Sequence, residues 1–283
     1  MDEQTGKTFR IFNELLYDDV PTYESLCFEP VFVMYPWHFF PKGPEAGNLE
    51  LPNPNVLDRA IKTARDKHLV TIIDIEHWPV SRADDAIAST SIRNYLTVLQ
   101  QFQKTLPELT IGYYGVVPVI DRFRSTKPWD DARYRSWVAE NTKAGPIADA
   151  ADALFPSFYT VSLDEDRWFK MAEAQMAEAR RLADGKPVYP FIWPNYHEQG
   201  GKFPKGAEVN ADFWRRQLEF LRKNADGFVL WGGNSQPWNE DMPWWRETLF
   251  FLSSYFEKRA NTLAPEAPQN LKELNQTPSS GVR

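Results

Sequence analysis

The sequence predicts an α/β fold, a TIM-like β/α barrel, distorted and built on seven parallel strands. Three observations predict it. Short β-branched or aromatic runs alternate with stretches of helical periodicity, the mark of βα units and a parallel sheet. Seven such runs can be counted, and they end in aromatic or acidic residues, as strands do at the functional face of a barrel. No glycine fingerprint follows the first run, which argues against a dinucleotide-binding doubly wound sheet.

The first strand is expected over Thr8 to Asn13, where apolar side chains alternate, and the second over Pro30 to Tyr35. The aromatic loop Pro36 to Pro41 and the Pro-, Gly- and Asn-rich stretch to Pro54 read as irregular. A helix follows from Val56 to Lys67, with Val56, Ala60 and Ala64 at four-residue steps. Val70 to Glu76 begins as the continuous apolar run of a strand buried on both faces. Ile92, Tyr95, Leu96, Leu99 and Phe102 mark one stripe of the next helix. Leu109 to Gly115 is the fourth strand, and Asp130 to Thr142 a helix. Ala153 to Tyr159 is the fifth strand, with Pro156 signalling an edge, a bulge or an end. Asp164 to Ala183 is a helix opened by acids and closed before Gly185. Pro187 to Trp193 and Ala225 to Gly233 are the last two strands, separated by a helix from Val209 to Asn224. Trp245, Leu249, Leu252 and Phe256 mark the inner face of a final helix. One barrel domain is expected over residues 1–260. A mobile tail is expected over 261–283, where Pro, Asn, Gln and Ser leave little to bury.

The third strand carries the chemistry. Asp74 and Glu76 stand two residues apart, so both leave the same face at its end. Ionised carboxylates beside such a run are paired, hydrated or used. One reading makes them ion-pair partners of arginines such as Arg82 or Arg122; the other makes them a catalytic pair. Glycoside hydrolysis needs a protonated carboxyl at the leaving oxygen and a group that stabilises the developing cation. Glu76, further out and flanked by Trp78, is the better acid, because an apolar neighbour and a second carboxylate both raise its pKa. Asp74 would hold, orient or charge-stabilise the reacting group. Two acids on one strand fit poorly with action from opposite faces of a sugar ring, and better with assistance from the substrate's own 2-acetamido group.

Composition narrows the partners. The net charge is −7 with no basic block, which argues against nucleic acid. A single cysteine, Cys27, gives no internal disulfide and reads as a small buried hydrophobe. Four scattered histidines show no metal-ligand spacing, so neither a metal nor another cofactor is implied. No membrane-spanning run or signal peptide is visible. Aromatic residues make up 14% of the chain, with 11 Trp, 11 Tyr and 19 Phe, enough to line a cleft that stacks on sugar rings as well as to pack a core. Strand ends and the loops after them supply Asn13, Glu14, Trp37, His38, Trp78, Tyr113, Tyr114, Tyr159, Trp193, Tyr196, Trp231 and Asn234.

The stretch Ile73-Asp-Ile-Glu-His-Trp-Pro79 resembles the Asp-x-Glu-x-Trp motif of the hyaluronidase family of glycoside hydrolases. The resemblance extends to Phe9-Arg-Ile-Phe-Asn13, Gly112-Tyr-Tyr-Gly115, Leu154-Phe-Pro-Ser-Phe-Tyr159 and Gly227-Phe-Val-Leu-Trp-Gly232, in matching order over residues 8 to 235. It implies a distorted seven-stranded β/α barrel, with Glu76 as proton donor and Asp74 as the acetamido-orienting acid. It further implies Tyr159 as a hydrogen-bond partner at the cleaved sugar and Trp231 as part of its floor. The family's tyrosine-rich run after the fourth strand is here Val116 to Asp121, and its disulfide cysteines are missing. With the acidic charge, this points to a distant, bacterial-type relative acting on another polysaccharide: an N-acetylhexosamine-containing exopolysaccharide or a glycosaminoglycan-like polymer.

The expected substrate-binding set is Trp37, Trp78, Tyr113, Tyr114, Trp193, Tyr196, Trp231 and Asn234. Tyr113 and Tyr114 are consecutive, so one faces the barrel and one the helices. Trp37, Trp193 and Trp238 could equally pack loops. His77 points away from the acids by alternation. Arg122 and Arg124 either bind a substrate carboxylate or pair with Asp121 or Asp130. Two other functions stay open: a non-catalytic carbohydrate-binding barrel, and a polysaccharide lyase. Because such polymers lie outside the cytoplasm, a secreted or periplasmic location is expected.

Overall fold

A computed structural model describes residues 8–21, 28–44, 47–197, 206–233 and 236–263. The expected tail beyond 263, Cys27, Asn234 and the Phe256 side chain lie outside them. Six parallel strands form one sheet: β1 (Arg10–Leu15), β2 (Phe28–Met34), β3 (Val70–Ile73), β4 (Ile111–Tyr113), β5 (Phe191–Ile192) and β6 (Gly227–Gly232), in the order β4-β3-β2-β1-β6-β5. Helices α1 (Pro54–Lys67), α2 (Asp85–Thr105), α3 (Ala132–Ala150), α4 (Glu165–Ala183), α5 (Ala211–Asn224) and α6 (Pro243–Leu263) cover the outside. Local chemistry sets their starts. Asp84, Asp131, Asp164 and Asn210 each accept a backbone N–H of the first turn, satisfying donors that the helix leaves free.

The expected fifth strand is not a strand. Residues 153–160 make single bridges instead, Tyr114 to Phe155 on one side and Leu154 to Val188 and Ser157 to Phe191 on the other. Pro156 is the physical reason: it lacks the N–H that a continuous ladder needs. The segment still closes the ring, so the barrel has seven members of which six are regular strands. Prolines 187 and 190 likewise cut the sixth member to the two residues of β5.

The ring closes tightly over Gly112. A Cβ there would lie 2.3 Å from the Ala153 carbonyl oxygen and 2.8 Å from the Phe155 ring. Gly112→Ala is therefore expected to cost about 1–3 kcal/mol through overpacking, measured by chemical denaturation.

Two apolar groups fill the molecule. The larger lies between strands and helices and includes Ile11, Met34, Ile73, Tyr95, Leu99, Tyr113 and Trp214. The smaller fills the barrel: Phe12, Val31, Val33, Ile72, Tyr114, Phe155, Tyr159, Tyr189, Phe191 and Val229. Because a strand repeats every two residues, the inward positions Phe12, Val33, Ile72 and Val229 are followed at the mouth by Glu14, Tyr35, Asp74 and Trp231. No helix among the described residues is long and apolar enough to cross a membrane.

Candidate active site

At the C-terminal ends of the strands lies a cavity of about 480 Å³. It is lined by Asp74 and Glu76 after β3, Tyr114 and Arg122 after β4, Tyr159 from the segment before α4, Trp193 and His197 after β5, and Tyr35 and Trp231 at the ends of β2 and β6. Regular β3 stops at Ile73, earlier than expected, but the Asp74 N–H still donates to the Met34 carbonyl at 3.0 Å. That bond carries the strand's alternation one residue further, and both acids reach the cavity.

The two carboxyls differ. Asp74 is half-buried, and its carboxyl is pushed up to about 7, by burial first and by the charge of Glu76 second. Its Oδ1 is buried with no hydrogen-bond partner among the described residues. Burial favours its uncharged form, so the ionised form that could stabilise a developing positive charge is reached only around neutrality. Glu76 is open to water through the cavity mouth, yet enough protein crowds its carboxyl for desolvation to raise it. The Arg122 guanidinium opposes that rise. Both acids, side by side, hold their protons more tightly than usual.

The arginines sort cleanly. Arg82 donates to Asp121 at 2.9 Å, and Arg124 donates to Asp121 at 2.6 Å and to Glu140 at 2.8 Å. Both therefore belong to a network that pins the loop after β4 to α3. Of the three arginines, Arg122 is the one among the described lining residues of the cavity, anchored by a bond to Ser157 Oγ at 3.2 Å. Its charge acts on Glu76, but among the described residues the two form no ion pair of the kind the other reading expected.

Aromatic rings make the other surfaces. Trp231 meets Trp193 edge-on at 4.9 Å, and Tyr159 lies 5.7 Å from Trp231 and 5.9 Å from His197. The phenols of Tyr159, Tyr114 and Tyr35 are all raised, chiefly by burial, so all three stay neutral. Trp37 stands at the lip, 60% exposed and stacked flat on Tyr35 at 4.6 Å.

Asp74, Glu76, Tyr114, Tyr159, Trp193 and Trp231 thus come together as expected. Four expected residues do not line the cavity: Trp37, which reaches it only through its stack on Tyr35, and Tyr113, Tyr196 and Trp78. Tyr113 is the outward member of its pair, and its hydroxyl donates to the Tyr95 carbonyl at 2.8 Å among the helices. Tyr196 is buried in the outer core and bridges to Thr160. Trp78 is 1% exposed and packs on Tyr95 at 5.1 Å. Beyond Asp74 the ladder ends, and the Tyr95 hydroxyl lies within 2.9 Å of the Ile75 carbonyl and 3.1 Å of the Trp78 carbonyl. The chain is drawn onto α2, and strand alternation no longer governs Trp78. It lines only a smaller neighbouring cavity that shares Glu76 and Tyr114. His77 packs against Phe40 at 4.6 Å, away from the acids.

Tyr35 and His197 were not anticipated. The step from Val33 to Tyr35 follows the inward alternation and could have found the first; His197 comes from a loop and carries no periodic signal. Among the described residues, no three His, Cys, Asp or Glu side chains are placed to hold a metal ion.

No protein-family model and no curated protein matches the sequence. Among solved structures, the chain is similar to bee venom hyaluronidase, at 15% identity and a TM-score of 0.55 over 89% of this chain and 97% of that one. The same enzyme in complex with a hyaluronic acid tetramer aligns at 16% identity and a TM-score of 0.57, over 89% and 96%. A GH18 chitinase from Pseudoalteromonas aurantia aligns over 89% and 99% at 10% identity, with a TM-score of 0.46. At these identities the likeness to the hyaluronidase is one of fold, and the expected distorted β/α barrel is the fold found.

Proposed function

We propose that the chain is a glycoside hydrolase acting on a polysaccharide. Glu76 gives its proton to the leaving oxygen, and Asp74 orients and charge-stabilises the reacting group. One observation carries the reading: two carboxyls with raised proton affinity share one wall of an aromatic cavity, with no third acid among its described lining residues. An acid and nucleophile flanking a sugar from opposite sides need carboxyls on two walls. A pair on one wall instead suits a substrate that supplies its own nucleophile, a 2-acetamido oxygen held by Asp74. The hyaluronidase seen with its sugar tetramer has this fold, which supports an N-acetylhexosamine polymer as substrate.

Trp231 and Tyr35 offer flat faces to the apolar side of a sugar ring, and exposed Trp37 extends that surface past the lip. An aromatic track running out of the cavity suits endo action on a long chain, and so a secreted or periplasmic enzyme.

A lyase is the second reading, favoured by Arg122, which could neutralise a uronate carboxylate. The Tyr114 and Tyr159 phenols in the cavity hold their protons too tightly to serve as the base it needs. Incubation with a panel of bacterial and animal polysaccharides tests both. New reducing ends without ultraviolet-absorbing product support hydrolysis; unsaturated, absorbing product overturns it.

A further inference from the structure

Glu14 does not line the cavity, yet it is a half-buried carboxyl at the inward end of β1. The Tyr35 hydroxyl donates to Glu14 Oε1 at 2.9 Å and accepts from Trp231 Nε1 at 3.0 Å. An indole N–H only donates, so the chain has one direction: Trp231 to Tyr35 to Glu14. Glu14 is the register partner of Trp231 across β1 and β6, while Tyr35 follows β2 on the other side of β1. Three neighbouring strand ends are thus tied across the mouth. The Tyr35 hydroxyl is engaged on both sides and is not free to act as acid or base.

We propose that Glu14 is a positioning residue: through the Tyr35 hydroxyl it fixes the Trp231 indole, keeping the flat floor of the cavity in register with Asp74 and Glu76. Its effect on turnover rests on the hydrolase reading; the tie itself does not. Burial pushes the Glu14 carboxyl up to about 7, against the Tyr35 hydrogen bond. The carboxylate accepts a stronger, charge-assisted bond than the neutral acid, so the tie tightens as Glu14 loses its proton. Other titratable or charged groups also face this corner. Asp74 acts on Tyr35, and Glu76, Arg122, Tyr159 and His197 line the same cavity.

The Trp231 indole resonance in a ¹⁵N–¹H spectrum, identified by its loss in Trp231→Phe, reads the tie without substrate. Followed from about pH 5 to 9, it should move in one step near neutrality. That step should vanish in Glu14→Gln and survive in Asp74→Asn and Glu76→Gln. A step that persists in Glu14→Gln, or vanishes only in Asp74→Asn, overturns the proposal. On the polymer found by the polysaccharide panel, Glu14→Leu should raise KM about tenfold with a smaller fall in kcat. Glu14→Gln, whose amide oxygen still accepts, should restore most of that loss. Should the leucine variant fail to fold, the glutamine variant still decides through the resonance. An unchanged KM in folded Glu14→Leu overturns the positioning role even where the step belongs to Glu14. Absence of any hydrolysis by the wild-type chain counts against the hydrolase reading alone.

Discussion

Glu76→Gln should abolish hydrolysis and leave binding of the polysaccharide in place. A positioned general acid contributes about 10²–10⁴-fold to rate, and an amide of the same shape keeps hydrogen bonds while losing the transferable proton. The expected result is a fall in kcat of that size with a dissociation constant within about threefold of wild type, read by reducing-end assay and by calorimetry. Because desolvation raises the Glu76 carboxyl, the wild-type rate should fall on the alkaline side as that proton is lost. A carbohydrate-binding barrel would show no turnover in either form and equal affinity in both. Full activity in the glutamine variant would remove Glu76 from the mechanism.

Asp74→Asn should do two things at once: reduce turnover and stabilise the fold at alkaline pH. The Asp74 carboxyl moves from its ordinary value of 3.8 to about 7, so the folded chain holds this proton more tightly than the unfolded chain. Stability from that difference is complete below about pH 4 and is lost as pH rises through about 7. The full span corresponds to about 4 kcal/mol. Residual hydration at the cavity mouth reduces the usable part to about 1–3 kcal/mol. Asparagine has no proton to lose, so the variant's Tm should exceed that of wild type at pH 8 and match it near pH 4. Turnover should drop by about 10²–10³-fold, as when a group that stabilises developing charge is removed. A variant less stable than wild type at pH 8 would mean that Asp74 is an ionised structural partner instead.

Much of this was legible in the residues. Two-residue alternation placed Asp74 and Glu76 together and required one of Tyr113 and Tyr114 to face inward. The apolar interior of the barrel decides for Tyr114, because Gly112 two residues before it meets Ala153 and Phe155. Trp78 was misplaced because the rule was carried past the last ladder bond, where the Tyr95 hydroxyl takes over the backbone. The fifth strand fails on Pro156, whose missing N–H donor interrupts the ladder. Arg122 and Arg124 could not be separated by sequence, since only the fold shows which one Asp121 and Glu140 retain. His197 and the tie through Tyr35 depend on segments far apart in the chain, beyond the reach of any local pattern.

The junction over Gly112 has a mechanical consequence. β1 shares regular ladders with both β2 and β6, whereas the contact of β4 with residues 152–155 has two backbone bonds among the described residues. These are Asp152 N–H to Ile111 O and Gly115 N–H to Phe155 O, both at 2.9 Å. Segments held by few hydrogen bonds open first, so the amides of Asp152 and Gly115 should exchange hydrogen at least about tenfold faster than those of β1 and β6. Equal rates would mean a uniformly stiff ring. On the proposed function, a sugar polymer would meet compliance on the side of Tyr159 and rigidity beneath Trp231, so that one side of the ring could adapt to the shape of what it grips while the other holds its place.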